Sequence, residues 1–370
     1  MCGDPEANGK TQRAGPAQRA DPVSCLSVTL RRGRLTCLGM LGSAVLAAAV
    51  VLGGCSAAAA PAKTGTGSGP VLTLAQAQAA YDSYVTASTA AAKQGDATHG
   101  LAMVGDAQWS LLHAQYAALA TKGVPVTQYS YGTPVFYVPA LPAYPLWFVV
   151  QVPISTEVGG HPGPAVSTLL AFQRYIPSRS WTLDGSAVLD QPLPALAHDS
   201  AGYATPVSTT GPSLLLPTSL VGATQAAVVD EGPTAPAAAA VGSGPHTTAL
   251  FAAQNAQGNA ASARGLNYRW LLQTASFAQY ELRTADGGAL VLYSMYLNTI
   301  TEHPGNLPGA PIQVPADFAP LITTGATIGH RGVDANWTYE FVAVDPPTTV
   351  HGAKVEVIGG SGGPTYGHAY

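Results

Sequence analysis

Few residue types with reactive side chains are gathered in this sequence. The nine histidines fall at 99, 113, 161, 198, 246, 303, 330, 351 and 368. No two share the three- to five-residue spacing that makes a local metal scaffold, so no metal site is expected from spacing. His198-Asp199 has the composition of a base with an orienting carboxylate, but adjacent side chains usually point apart, and a solvated loop pair is the expectation. Glu302-His303 before Pro304 reads the same way. Gly359-Gly360-Ser361-Gly362-Gly363 fits G-x-S-x-G in letters only, because a nucleophile elbow needs a strand before the Ser and a helix after it. Gly9-Lys10-Thr11 lacks the upstream glycine of a phosphate loop. No catalytic residue and no cofactor site is assigned.

The densest chemistry is aromatic. Tyr129, Tyr131, Phe136, Tyr137, Tyr144, Trp147 and Phe148 lie close together, interleaved with Pro134, Pro139, Pro142 and Pro145. Such rings fill a core or line a site for an apolar or sugar-like ligand. Tyr129, Tyr131, Tyr137, Tyr144 and Trp147 are the candidates for such a site. Arg283 joins them as a candidate for an anionic ligand, against the simpler expectation that Glu281 and Arg283, two apart on one strand, form a surface pair. Asp286, before two glycines, reads as a turn residue.

The cysteines place the chain. Cys2, Cys25, Cys37 and Cys55 are the only ones, and none follows Cys55. Arg31, Arg32 and Arg34 precede an uncharged run from Leu35 to Gly54, and Leu52-Gly53-Gly54 sets small residues before Cys55. This is the layout of a secretory signal. Its Leu-Gly-Gly-Cys end resembles the bacterial lipobox, which implies acylation of the Cys55 thiol, cleavage before it and a lipid anchor on the extracytoplasmic face of the membrane. A transmembrane helix is the competing reading of the same run, weakened by Gly39, Gly42, Gly53 and Gly54. The polar residues 1–27 delay the basic flank, and Val28 is a candidate alternative start. Arg31-Arg32 leaves twin-arginine export open beside the general route.

Composition narrows the partners. Only 10 % of residues are charged and the formal net charge is -4, which argues against nucleic acid, whose binders carry a basic stripe. Taking away the six basic and three acidic residues of 1–54 leaves 10 basic and 17 acidic, a net of -7. The expected contacts are a membrane through the anchor, and an unidentified envelope protein or small ligand.

These groups sit on elements readable from periodicity. Residues 55–70, all small or polar apart from one Lys, form a tether. Thr73 opens a helix with Leu74, Ala77, Tyr81, Tyr84, Val85 and Ser88 on one face, stopped near Gly95. A second helix spans about 106–120, with Trp109, Leu112, Tyr116 and Leu119 on a face. The period then changes to two, with extended stretches at 129–137, 146–152, 168–175 and 181–189. After a Pro-rich boundary the order repeats: a helix over 214–229, a low-complexity and mobile loop at 230–245, then strands at 268–274, 279–284, 289–297, 336–344 and 355–358. The fold class is α+β, two tandem domains (71–205 and 206–362), each of helices packed on an antiparallel β-meander, with 363–370 as a tail.

The segments Val135-Phe136-Tyr137-Val138-Pro139, Tyr144-Pro145-Leu146-Trp147-Phe148-Val149-Val150, Leu193-Pro194-Ala195-Leu196-Ala197 and Leu282 to Leu290 together resemble an uncharacterised lipoprotein family of actinobacteria, over roughly 71–345. The resemblance implies an envelope lipoprotein and carries no activity. The helix-and-meander pattern is also similar to cystatin-like and nuclear-transport-factor-2-like cones, an analogy of fold alone. The functional expectation is a non-catalytic envelope lipoprotein binding a partner or ligand. The alternative is a small-molecule binder with an aromatic-lined cavity, and a cell-wall hydrolase is less favoured.

Overall fold

The computed structural model describes residues 71–158, 160–208, 210–322 and 327–370. The leader 1–54, the tether 55–70, Cys55 and its neighbours Leu52, Gly53 and Gly54 lie outside the described residues.

The first half begins with three helices, α1 (Leu74–Gln94), α2 (Ala97–Ala102) and α3 (Asp106–Lys122). Thr73 and Gln76 close a capping box on α1: Thr73 Oγ1 accepts from Gln76 N, and the Gln76 side chain accepts from Thr73 N. Gly95 and Gly123 end α1 and α3 at φ 65° and 67°, a region open to glycine. The short α2, capped by Asp96, has too few residues to show a helical period in the sequence. Ala77 and Tyr81 are buried as the helical stripe requires, whereas Trp109 on α3 is exposed and stacks on His113.

Six strands follow: β1 (Tyr129–Tyr131), β2 (Val135–Tyr137), β3 (Leu146–Val158), β4 (His161–Pro162), β5 (Val166–Arg174) and β6 (Thr182–Val188). They pair antiparallel in the order β1-β3-β5-β6, with β2 and β4 also on β3. Alternation sends Phe148, Val150, Leu170 and Phe172 to the helical side and Val149, Leu169 and Ala171 to the other.

The second half holds α4 (Val221–Glu231), α5 (Thr248–Ser262), β7 (Asn267–Thr274), β8 (Tyr280–Arg283), β9 (Ala289–Glu302), the small ladder of β10 (Ile312–Gln313) with β11 (Ile328–Gly329), β12 (Gly332–Asp345) and β13 (Glu356–Ala369). Its sheet is antiparallel, ordered β13-β12-β9-β7, with β8 on β9. Asp286-Gly287-Gly288 makes the β8–β9 turn, Gly287 at φ 92°. The molecule is thus α+β, with its antiparallel sheets in two groups, each with helices on one face. Their other faces share a core of Leu169, Ala171, Leu290, Leu292, Val342 and Ile358.

The second half departs from its sequence pattern in three places. The helix expected from Leu214 starts at Val221 after one 3-10 turn, Thr218–Leu220, because Leu216 N is held by the Asp345 carboxylate and Pro217 follows. The segment 230–245, expected as a mobile loop, is packed: Ala235 and Val241 are buried, and Gly242 N and Val355 N bond across to Val355 O and Ala240 O. Alanine-rich sequence here provides small surfaces for close packing against α4 and β13. The tail expected at 363–370 is part of β13, which pairs with β12 from Glu356 through Ala369.

Candidate functional site

The helical face of the first sheet is only partly covered by α1. Helix α3 stands beside the rest and walls a half-open cavity of about 480 Å³. Gln108, Leu111, Gln115 and Ala118 reach it from α3 at spacings of three and four, one face of the helix. Tyr129 and Tyr131 reach it from β1, opposite Thr156 and Ile154 of β3, and Tyr84 reaches it from α1. The opposite end is built by the second half, from Asp317, Leu321 and the Ser361–Pro364 stretch of β13. The cavity is therefore not the cone of one sheet but a space that both halves complete.

Burial raises the phenols of the three tyrosines, Tyr131 to about 12, so all three remain neutral hydrogen-bonding groups at ordinary pH. Lys, Arg and His are missing among the described residues that line the space.

Two carboxyl groups lie behind the floor. In the β5–β6 ladder Ala171 pairs with Gly185 and Phe172 with Leu183, so Asp184 is the extra residue of a bulge. Its side chain is 2 % exposed and accepts from Tyr280 Oη at 3.4 Å through Oδ2, while Oδ1 is unpartnered. Glu340 on β12 is 1 % exposed and accepts from the Gln108 side-chain amide through Oε2, while Oε1 is unpartnered. Burial, with repulsion from Asp106, pushes Asp184 up to about 7, and burial, with repulsion from Asp184 and Asp106, pushes Glu340 up to about 8. Both groups are thus largely protonated below neutrality. Among the described residues no group of three or more His, Cys, Asp or Glu could hold a metal ion.

Of the residues singled out in the sequence, the structure brings Tyr129 and Tyr131 to this cavity. Tyr137 turns away and donates its hydroxyl to Gln151 at 3.1 Å. Tyr144 borders a shallower groove with Trp181 and Arg174. Trp147 packs edge-on against Tyr280 in the core shared by the sheets. Arg283 is not a surface partner of Glu281, nor does it line this cavity. It is 6 % exposed and donates to the carbonyls of Gly287 at 3.0 Å and Ser208 at 3.1 Å, tying the β8–β9 turn to the segment that joins the halves.

Ser361 does line the cavity, but from a strand. Its hydroxyl donates to Ser186 O at 2.6 Å. The surrounding glycines answer to packing: a Cβ on Gly359 would strike the backbone of Val188, and one on Gly362 the Thr338 carbonyl. The histidine that lies beside this stretch of β13, His246, pairs with Asp190 at 2.6 Å, and its ring sits by Gly360 and Phe341, the face of β13 opposite Ser361. His198 and Asp199 point apart as expected: the ring bonds Leu196 O, and the carboxylate accepts from Ala201 N and Tyr203 N.

Across residues 68–367 the sequence matches the family model of a domain of unknown function, DUF8094. The chain belongs to this family. No curated protein and no solved structure matches the chain. The DUF8094 domain therefore takes in both sheets, the cavity and the carboxyl pair. Among its described residues, no helix is long and apolar enough to cross a membrane. Sequence reasoning overlooked Gln108, Asp184 and Glu340. The available signal was a carboxylate inside an apolar strand, Tyr339-Glu340-Phe341-Val342, where β periodicity alone places it indoors.

Proposed function

We propose that this DUF8094 protein is a non-catalytic, lipid-anchored binding protein of the cell envelope that takes a small, largely apolar ligand in the cavity under α3. One observation carries the reading: a cleft of about 480 Å³, open to solvent on one side, walled by aliphatic side chains and three tyrosines with a few convergent polar groups. That is the composition of a small-molecule site. The anchor rests on Leu52-Gly53-Gly54-Cys55 behind its basic flank and apolar run, and the actinobacterial lipoprotein assignment on the segments quoted above. Binding is favoured over hydrolysis of wall material because the raised carboxyls lie behind Gln108 and Ser186 rather than in the lining, where a general acid would have to reach substrate.

Native mass spectrometry of the chain purified from its source envelope tests the ligand. The expected result is added mass that leaves on denaturation and is lost in Ala118→Trp, which fills the cavity. A bare chain whose thermal stability is unmoved by envelope extracts, in wild type and variant alike, overturns the reading and turns the search to a protein partner by cross-linking in intact cells. The anchor has its own test: Cys55→Ala should release the chain from the membrane fraction.

A further inference from the structure

The cavity has a sign. Its described lining includes no Lys, Arg or His, so nothing there neutralises a bound anion. It does include Asp317.

The decisive feature is Glu340. Residues directly paired across antiparallel strands point to the same face, and Glu340 is paired with Ser361, which lines the cavity. Gln108, a lining residue, donates its side-chain amide to Oε2 of the carboxyl. Glu340 Oε1 is buried with no donor. In an interior of low dielectric a carboxylate in that state attracts a cation strongly across a single layer of side chains. The unbonded Oδ1 of Asp184 lies behind the same floor.

We infer that the ligand is a cation: an apolar molecule bearing an ammonium group, which the cavity selects over alcohols and carboxylates of the same shape through Glu340. This rests on the cavity being a binding site at all, and it names the ligand class. The apolar body lies against Leu111, Leu170, Val188 and Leu321. The head turns toward Gln108 and the Glu340 behind it. The charged groups acting on Glu340 are Asp184 from β6 and Asp106 from α3, with Gln108 as its donor. Tyr280 from β8 bonds Asp184. The acidic neighbours oppose ionisation of Glu340, and a bound ammonium reverses that opposition, so the amine binds with release of a proton from Glu340 in the range where that group is protonated.

Isothermal titration of the full chain with decylamine, decanol and decanoate, each below its micellar concentration, tests this. The expected order is decylamine, decanol, decanoate, with the amine at least about tenfold ahead of the alcohol. Amine affinity should rise from pH 6 to pH 9 while alcohol affinity stays level. Glu340→Gln should bring amine and alcohol to within about twofold of each other. Equal affinities in the wild type, or a pH-independent amine, overturn the cation proposal and leave the cavity reading standing. No binding of any of the three overturns both. Should Glu340→Gln not fold, the pH series on the wild type decides alone.

Discussion

Gln108 on α3 donates its side-chain amide to Glu340 on β12, a bond between residues 232 apart in the chain that ties the first half's helix to the second half's sheet. It runs along the cavity floor, so the group that would recognise a ligand also joins the halves. Removing Gln108 takes a donor from a buried carboxyl and leaves nothing in its place. Gln108→Ala should cost about 1–3 kcal/mol in urea unfolding, the usual penalty of a stranded buried polar group. A change under about 0.5 kcal/mol, the range of ordinary surface substitutions, would show the bond to be idle.

The raised carboxyls set the direction of the pH dependence. Glu340 moves from 4.5 to about 8, and Asp184 from 3.8 to about 7. Between the ordinary and the raised value, the folded protein holds a proton that the unfolded chain has given up. The native state then binds more protons, so stability falls as pH rises, by up to roughly 1.4 kcal/mol per pH unit for each group. Asp345, raised to about 6, adds the same trend at its lower end. The melting temperature should peak near pH 5 and decline through pH 8, and Glu340→Gln should flatten the upper part of that decline. A melting temperature that climbs from pH 5 to pH 8 would falsify the assignment.

Arg283 separates a structural role from a ligand-holding one. Its guanidinium donors bridge the carbonyls of Ser208 and Gly287 from a buried position. A lysine keeps the charge but cannot span both carbonyls. Arg283→Lys should therefore destabilise by about 2 kcal/mol, as a lost charged hydrogen bond does, with ligand mass retained in native spectra. Loss of ligand at unchanged stability would return Arg283 to the binding site.

What was legible in the sequence was local. Thr73, Gln76 and Gly95 bound α1 because a capping box and a left-handed glycine act within one turn. Asp286-Gly287-Gly288 is a turn for the same reason, Asp286 Oδ1 accepting from Gly288 N at 3.2 Å. Tyr129 and Tyr131 were found because period-two spacing puts them on one face. The rest depends on distant partners. Glu340 gains its meaning from Gln108, and the glycines of β13 look like a tail until the Val188 backbone is set against them. The Ala-rich segment 230–245 looks loose until Val241 meets Val355. Arg283 reads as a surface residue until Ser208, from the joining segment, closes over it.

Ser361 and Gly359 give opposite results under the packing account and the nucleophile account. If G-x-S-x-G here were a nucleophile elbow, Ser361→Ala would abolish any hydrolysis and leave the fold untouched. In the structure Ser361 lies in a strand, its proton directed to Ser186 O, while Gly359 lets the backbone at Val188 and Leu189 approach β13 and pair with it. Ser361→Ala should therefore cost about 1 kcal/mol, the worth of one hydrogen bond, and keep ligand. Gly359→Ala pushes a methyl group into a backbone that has no rotamer to yield, and should cost about 3 kcal/mol or more, the upper end for overpacking. Thermal melts of both variants, with native mass spectra, check the pair. A stable Gly359→Ala protein would mean that β6 and β13 do not approach this closely, and the floor of the cavity would then lack its Ser186–Ser361 seam.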